Sequence, residues 1–553
     1  MRALLLATAL AAALPAGAFA QTAEELAKGA SDTGNVLNYG MGYNLQRFSA
    51  LDQINKQSVK HLVPVWNYSY DDNRSEESQP LVYKGVIYAT TNSATMAIDA
   101  KTGKQIWKTK VEYPPETPRI VCCGIINRGA ALYDGKVFRT TLDANVVALD
   151  AQTGKELWKS HAIDFKPGYS FTVAPLVADG VVITGISGAE YGIRGFIDGW
   201  DPQTGNHLWR TYTVAGPDDP NGKSWPGDTW QHGGGSAWIT GSFDPELHTV
   251  YWGTGNTGSW NAESHKGDNL YTCSVLALDP KTGKIKWHYQ FSPNDPYDYD
   301  SVAEMVLATL TIDGKPTKVV MDANRNGFFY VLDRANGALL AANQYGDKVN
   351  WATGIDMETG RPIESDESKR VHAGEKVEIW PGAMGSKNWS PLSFDPNTGL
   401  AYANTLNFGM NYKETTPVYR AGLSYWGADI SWVWPDGPRG SLKALDPMTG
   451  KAKWSAPSDI PRFSGVLSTA GGVVFTGKLT GELEAFDADT GQKLWHFQTG
   501  SGIEGQPVTW QQDGVQYVAV SSGIGGVYAI FAGDERLASV PAGGSLWVFA
   551  LAR

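Results

Sequence analysis

The chain has 553 residues, of which 42% are hydrophobic and 19% are charged, and its formal net charge is −11. This apolar content excludes a disordered chain, and an acidic chain without a run of Lys and Arg is not a generic nucleic-acid binder. The 63 glycines predict frequent turns, whereas three cysteines are too few for a disulfide framework.

The N-terminus has the three parts of a secretory signal peptide. Met1 and Arg2 form a short positive region, residues 3–15 are apolar but too few to span a bilayer, and Ala18-Phe19-Ala20 is an A-x-A cleavage site. The alternative, a buried N-terminal helix, is disfavoured by this order. We predict a signal peptide over 1–20, cleavage after Ala20, export to the periplasm, and a mature chain without a membrane span.

A helix is expected next, over residues 51–62, and a turn motif then recurs along the chain. Asp-x-x-Thr-Gly-x-x-x-Trp occurs six times, beginning at Asp99, Asp150, Asp201, Asp279, Asp446 and Asp487. Two weaker copies without the tryptophan begin at Asp333 and Asp395. The copies follow one another at roughly fifty residues, which indicates a repeat architecture.

The residue types in one copy of the repeat predict its local structure. The aspartate caps backbone N–H groups, the glycine supplies a positive φ, and short strands flank the turn. About four antiparallel strands per repeat form a propeller blade, and each tryptophan can pack one blade on the next. We predict an all-β fold in one domain over 21–553, an eight-bladed β-propeller of four-stranded antiparallel blades with tryptophan-docking motifs. One misassigned copy would leave seven blades.

Two adjacent cysteines are not explained by the blades. Cys122 and Cys123 could close a disulfide only through a small strained ring, and such strain is usually tied to function. The alternative is two buried thiols that are neighbours by chance. Cys273 is expected to be a buried free thiol.

A second constellation is acidic. In an extended segment Asp298 and Asp300 would project to the same side, where two carboxylates repel unless a cation lies between them or one keeps its proton. Glu190 and Asn256 add the oxygen donors that calcium-like ions prefer. A solvated turn is the alternative for the two aspartates. Trp238, after a run of glycines, offers a stacking face, although a structural tryptophan is otherwise the default in this chain.

With these residues assembled, the chain resembles the quinoprotein alcohol dehydrogenases of the methanol/ethanol dehydrogenase family, which use pyrroloquinoline quinone (PQQ). The resemblance covers essentially the whole mature chain. Its markers are Cys122-Cys123 with Asn127-Arg128-Gly129, Ser187-Gly188-Ala189-Glu190, Gly255-Asn256, and Asp298 in Tyr-Asp-Tyr-Asp.

The resemblance implies a role for each of these positions. A Cys122–Cys123 disulfide and the Trp238 indole would enclose a planar quinone, and Arg325 would lie beside its reactive carbonyls. The residues that match cofactor-binding positions at its polar edge are Glu77, Arg128, Thr172, Ser187, Gly188, Ala189 and Asn388. The metal ligands would be Glu190, Asn256 and Asp298, with Asp298 also the base that takes the alcohol proton, and Trp260 would form a wall of the substrate pocket.

Asp300 affects which metal ion the site is expected to bind. The chain resembles the lanthanide-using branch of the family in having a second acid two residues after the base. One more negative ligand suits a trivalent cation. The resemblance therefore favours a lanthanide, with Ca²⁺ as the alternative.

The expected reaction is hydride transfer from an alcohol to PQQ, with primary alcohols, and secondary or bulkier ones, as substrates. No Cys-x-x-Cys-His haem motif occurs in the sequence, so electrons are expected to leave to a separate soluble c-type cytochrome. A homodimer is expected only by analogy. The rival interpretations are a non-enzymatic propeller scaffold, which leaves the site residues unused, and an enzyme of the same fold that acts on sugars or aldehydes.

Overall fold

The computed structural model describes residues 21–552. The predicted signal peptide over 1–20 lies outside the described residues. Within them, eight antiparallel sheets with four main strands each follow one another along the chain, which we number sheets 1 to 8.

The strands of sheets 1 to 4 are Leu81–Tyr83, Val86–Thr90, Ala94–Asp99 and Gln105–Lys110; Ala131–Tyr133, Lys136–Thr140, Asn145–Asp150 and Glu156–His161; Leu176–Ala178, Val181–Gly185, Phe196–Trp200 and His207–Tyr212; and Ser242–Asp244, Thr249–Gly253, Ser274–Leu278 and Ile285–Gln290. Those of sheets 5 to 8 are Val306–Ile312, Lys315–Ala323, Phe328–Asp333 and Leu339–Gln344; Ser393–Asp395, Leu400–Leu406, Gly440–Leu445 and Ala452–Ser458; Leu467–Thr469, Val473–Gly477, Glu482–Asp487 and Lys493–Gln498, with Phe48–Ser49 added in parallel; and Val508–Gln512, Val515–Ser522, Ser545–Leu551 and Leu62–Ser69.

Sheet 8 combines strands from the N-terminal and C-terminal parts of the described chain. Its strand Ser545–Leu551 pairs antiparallel with Leu62–Ser69, which comes from the N-terminal part. The all-β, β-propeller prediction is confirmed, and the eight sheets support the predicted number of blades, which stays a prediction.

Tryptophans in the fourth strands connect several of the sheets to the next one. The Trp107 indole N–H donates to the Ala151 carbonyl at 3.1 Å, and its ring lies against Gly154, where an added Cβ would come within 2.5 Å of the indole. The same indole-to-carbonyl bond joins Trp66 to Ala100, Trp158 to Pro202, Trp209 to Pro280, Trp454 to Ala488 and Trp495 to Leu62. The motif glycine is therefore required both by its positive φ and by the indole of the preceding sheet.

The assignment of one turn to a blade of its own was wrong. The turn at Asp395 lies in the first hairpin of sheet 6, which also contains the Asp446 turn, so it does not mark a blade of its own. Sheet 8 has no such turn because its fourth strand comes from the N-terminal part.

The predicted helix over 51–62 is also wrong, since only Val59–His61 form a short 3₁₀ turn there. Asn55 Oδ1 accepts the backbone N–H groups of Gln57 and Ser58, and Ser58 Oγ donates to the Gln53 carbonyl. Such side-chain bonds to the backbone compete with helix formation.

One insertion precedes sheet 6 and another lies within it, between its strands Leu400–Leu406 and Gly440–Leu445. The first contains the strands Ala352–Ile355, Pro362–Glu364 and Val377–Ile379 and the helix Asp366–His372. The second contains the strands Gly409–Glu414 and Ala428–Val433, which pair with each other and, through the former, with Val377–Ile379.

The remaining helical segments are short. The α-helices are Ala23–Ala27, Thr117–Ile120 and Gly526–Phe531, and the further 3₁₀ turns are Gly29–Ser31, Tyr39–Met41, Ala189–Tyr191, Gly222–Ser224, Thr229–His232, Ala262–His265 and Glu535–Leu537. Over residues 21–552, no helix has the length and apolar character needed to cross a bilayer.

Candidate active site

A cavity of about 260 Å³ brings together fourteen of the sixteen residues that the sequence singled out. They are Glu77, Cys122, Cys123, Arg128, Thr172, Ser187, Gly188, Glu190, Trp238, Trp260, Asp298, Asp300, Arg325 and Asn388. Ala189 and Asn256 do not line it.

The adjacent cysteines are bonded to each other. Cys122 and Cys123 form a disulfide, which confirms the pairing implied by the resemblance. Their sulfur atoms and a carboxylate oxygen of Glu190 all lie within 4.8 Å of one another. Because sulfurs in a disulfide are not thiolate ligands, only Glu190 of this trio offers a metal-binding atom. Cys273 is a buried free thiol, as predicted.

The two aspartates face one guanidinium group. Arg325 Nη1 lies 2.9 Å from Asp298 Oδ2, and Arg325 Nη2 lies 3.2 Å from Asp300 Oδ2. The two carboxylates are therefore on the same side, but not for the predicted reason. The segment is a turn rather than an extended strand, and Asp298 has a φ of 67°.

Asn256 contacts Asp300. Its backbone N–H donates to Asp300 Oδ1 at 2.7 Å, and the Trp238 indole N–H donates to Asp300 Oδ2 at 3.3 Å. Asn256 Oδ1 and Asp298 Oδ1 are buried without a hydrogen-bond partner among the described residues. Since a buried acceptor without a partner is costly, these two oxygens indicate a site for a ligand that binds oxygen.

Burial and mutual repulsion weaken the acidity of the carboxyl groups. Burial raises the pKa of Asp298 well above its ordinary value; the Arg325 charge opposes the rise, and the Asp300 and Glu190 charges add to it. Burial, and next the Asp300 charge, raise the pKa of Glu190 to about 7. One guanidinium group thus faces three carboxyl groups, and an added cation would relieve their repulsion.

Arg128 forms the opposite part of the site. It makes an ion pair with Glu77, with Nη2 and Oε2 2.8 Å apart, and donates from Nη1 to Thr172 Oγ1 at 2.7 Å. Thr172 Oγ1 lies 3.0 Å from Ser187 Oγ, and the guanidinium lies 4.6 Å from the centroid of the Trp238 ring. These groups form a cationic, hydrogen-bonding wall beside a flat aromatic one.

Ala189 lies beside Glu190 and does not line the cavity. It is fully buried at the start of the short turn Ala189–Tyr191, which carries Glu190. The Glu190 carbonyl accepts the Tyr425 backbone N–H at 2.6 Å, so the second insertion is attached directly to this turn.

The mouth of the cavity is aromatic. The Trp260 and Trp426 rings are stacked, with centroids 5.2 Å apart and planes 9° apart. Trp426 is 38% exposed and Phe531 is 39% exposed, and the Trp432 indole N–H donates to the Phe531 carbonyl. The cavity therefore opens to the surface between apolar rings.

Sequence reasoning missed several lining residues. Trp389, whose ring centroid lies 4.9 Å from the Arg128 guanidinium carbon, and Phe531 and Val527 near the C-terminus have no local motif. Gly255 did carry a signal, since Gly255-Asn256 was a marker, but its reason is steric: an added Cβ would lie 2.3 Å from Asp300 Oδ1.

Comparison with known proteins agrees with this geometry. Residues 37–343 and 428–518 match the family described as PQQ: glucose/ethanol/alcohol dehydrogenase, beta-propeller domain. The chain is 41% identical to the quinoprotein alcohol dehydrogenase PedH of Pseudomonas putida over 98% of this chain and 96% of that one. It is 42% identical to a quinoprotein ethanol dehydrogenase of Pseudomonas aeruginosa, with 96% and 92% covered.

Two further relatives carry a metal in their names. A lanthanide-dependent methanol dehydrogenase of Methylacidiphilum fumariolicum is 38% identical, with 92% of this chain and 88% of that one covered. The solved structure of a europium-containing methanol dehydrogenase superposes with a TM-score of 0.92 at 38% identity, covering 96% of this chain and 100% of that chain. From the cavity, the family match and these near full-length relatives together, we conclude that the chain belongs to the PQQ-dependent alcohol dehydrogenase family.

Proposed function

We propose that the mature chain is a periplasmic quinoprotein that oxidises alcohols to aldehydes or ketones with PQQ and one lanthanide ion, and passes the electrons to a soluble c-type cytochrome. The observation that carries this proposal is the cavity itself. It combines a disulfide, an indole, two guanidinium groups and four carboxyl groups, and it opens to the surface through apolar rings.

The residues fit a planar, anionic quinone. Arg128 and Arg325 supply positive charge, Thr172 and Ser187 supply hydroxyl groups, and Trp238 offers a flat face. Under the proposal, Glu77, Gly188 and Asn388 complete the cofactor site, and Ala189, which does not line the cavity, supports it from the turn that carries Glu190.

The donor set also fits a hard cation. Glu190, Asn256, Asp298 and Asp300 offer only oxygen atoms, and the unpartnered oxygens of Asn256 and Asp298 are free to bind one. Asp300 adds a charge to this set, and a trivalent ion balances it better than Ca²⁺ does. The relatives named for lanthanides support the same choice, and Ca²⁺ is the alternative.

When bound, PQQ supplies the acceptor for a hydride and the cation supplies Lewis-acid polarisation. Asp298 accepts the proton of the alcohol hydroxyl at a carboxylate oxygen. Arg325, which bonds Asp298 and Asp300, holds the base in place and supplies positive charge where negative charge develops. Trp260 and Trp426 exclude water and pack against the alcohol chain, which suits primary alcohols with apolar groups as well as bulkier ones.

Reconstitution tests the proposal. The purified mature chain, freed of metal, is mixed with PQQ and La³⁺, and the absorbance of bound quinone and alcohol-dependent dye reduction are recorded. We expect both signals in the wild type. For Asp298→Asn we expect bound quinone, but a kcat lower by about 10²–10⁴-fold because the general base is lost.

A matched control is Asp313→Asn, since Asp313 also has a positive φ but lies on an exposed hairpin turn. It should turn over like the wild type. A wild-type chain that binds no quinone and reduces no dye would contradict the proposal and favour the scaffold interpretation.

A further inference from the structure

We propose that Thr257 and Asp295, neither of which lines the cavity, are positioning residues that connect two of the three chain segments carrying the proposed cation ligands and thereby set the affinity for the ion. This inference rests on the proposed function. It concerns the loop that follows Gly253 in sheet 4 and the turn that follows Gln290, the last residue of the same sheet.

Asp295 holds the turn that carries the acids. It is 1% exposed, and its Oδ1 and Oδ2 accept the backbone N–H groups of Tyr297 at 3.2 Å and Tyr299 at 2.9 Å. These two N–H groups flank Asp298. Because one carboxylate accepts both, it fixes the backbone on either side of the base, in the region where Asp298 adopts its positive φ.

Thr257 connects this turn to the Asn256 loop. Its Oγ1 donates to the Asp295 carbonyl at 2.6 Å, while its own carbonyl accepts the Asn256 Nδ2 amide at 2.9 Å. The Asn256 backbone N–H returns to Asp300 Oδ1 at 2.7 Å. These hydrogen bonds, together with the backbone from Asp295 to Asp300, form a closed connection from Asn256 through Thr257, Asp295 and Asp300 back to Asn256.

These hydrogen bonds determine which oxygen atoms remain available to bind the ion. With the Asn256 amide nitrogen occupied by Thr257, its Oδ1 is the atom left without a partner. With the backbone around Asp298 fixed by Asp295, the carboxylates of Asp298 and Asp300 both stay on Arg325. Groups that orient metal ligands in this way change metal affinity by about 10–100-fold when they are removed.

The test is Tb³⁺ binding to the full mature chain without PQQ, followed by luminescence. Trp238 donates to Asp300, so excitation of tryptophan is expected to sensitise an ion held there. The variants are Thr257→Val, which keeps the side-chain shape but removes the hydroxyl, Thr257→Ser, which restores it, and Asp295→Asn, which cannot accept both N–H groups.

We expect Tb³⁺ to bind Thr257→Val about tenfold more weakly, Asp295→Asn about 10–100-fold more weakly, and Thr257→Ser with wild-type affinity. Asp279→Asn is the matched control. Asp279 also accepts two backbone N–H groups, from Lys281 and Thr282, but both at Oδ1 and in a turn outside the cavity, so Asp279→Asn should remove the same charge without changing the Kd for Tb³⁺.

Wild-type affinity in both Thr257→Val and Asp295→Asn would overturn the inference, as would an equal loss of affinity in Asp279→Asn. Should Asp295→Asn fail to fold, the comparison of Thr257→Val with Thr257→Ser decides alone. Failure of the proposed function looks different: the wild type would bind no Tb³⁺, or Asp300→Ala would bind it as tightly as the wild type.

Discussion

Replacing Gly255 with alanine should displace Asp300 without changing any charged or hydrogen-bonding group. The new Cβ would lie 2.3 Å from Asp300 Oδ1, whereas ordinary contacts begin near 3.4 Å. The carboxylate, or the loop, must therefore move by about 1 Å. That movement also strains the bond from the Asn256 backbone N–H, which is 2.7 Å long.

A displacement of about 1 Å in a catalytic site costs about 100-fold in rate, which corresponds to about 2.7 kcal/mol of barrier. We therefore expect kcat/KM for Gly255→Ala to fall about 100-fold in dye-linked alcohol oxidation with saturating PQQ and La³⁺. Gly437→Ala is the control, because an added Cβ there meets nothing within 4 Å. Turnover of Gly255→Ala at the wild-type rate would refute the steric role of this glycine.

Three further predictions concern stability, measured by chemical denaturation. Trp209→Ala should lower the free energy of unfolding by about 3–5 kcal/mol, because the indole is 8% exposed and donates to the Pro280 carbonyl in the next sheet. Glu484→Gln should lower it by about 3–5 kcal/mol, because it leaves the Arg462 guanidinium buried without its charged partner. Burial raises the pKa of Asp322 to about 7, so the folded state keeps a proton that the unfolded state releases above pH 4. Asp322 should therefore lower the stability by up to about 4 kcal/mol as the pH rises from about 4 to 7, and Asp322→Asn should remove this contribution to the pH dependence.

Each of these has a control or a contrary result. Trp209→Phe should lose only about 1 kcal/mol, since it keeps an aromatic ring and forfeits one hydrogen bond, and an equal loss for both variants would contradict the packing role. Glu24→Gln breaks an exposed ion pair with Lys28 and should leave the unfolding midpoint unchanged. A pH profile that is the same in Asp322→Asn and the wild type would assign the slope to other groups.

The fold was predictable because its signal is local and repeated. Each Asp-x-x-Thr-Gly turn is specified by its own aspartate, threonine and glycine, as at Asp150, where Oδ1 accepts the N–H groups of Gln152 and Thr153. The same local criterion misassigned Asp395, because a turn of that composition can close any hairpin of a blade. It could not identify sheet 8, whose closure depends on strands 62–69 and 545–551 from opposite ends of the chain.

The site was predictable only where residues of unusual type stand together in the sequence. Adjacent cysteines and the acids Asp298 and Asp300 carry such a signal, and the family resemblance supplied the remaining positions. Trp389 and Phe531 reach the cavity through folding alone, and their neighbours in the chain do not distinguish them from other core aromatics. Thr257 acts through backbone bonds, for which residue type is a weak indicator.

The proposed metal ligands are tested most directly by measuring alcohol-dependent dye reduction with La³⁺ and with Ca²⁺, side by side, in the wild type and in Asp300→Ala. The proposed ligand set predicts that the wild type is faster with La³⁺ and that Asp300→Ala loses La³⁺-supported turnover. La³⁺-supported turnover that is unchanged in Asp300→Ala would contradict a ligand role for Asp300 and the choice of a lanthanide that depends on it.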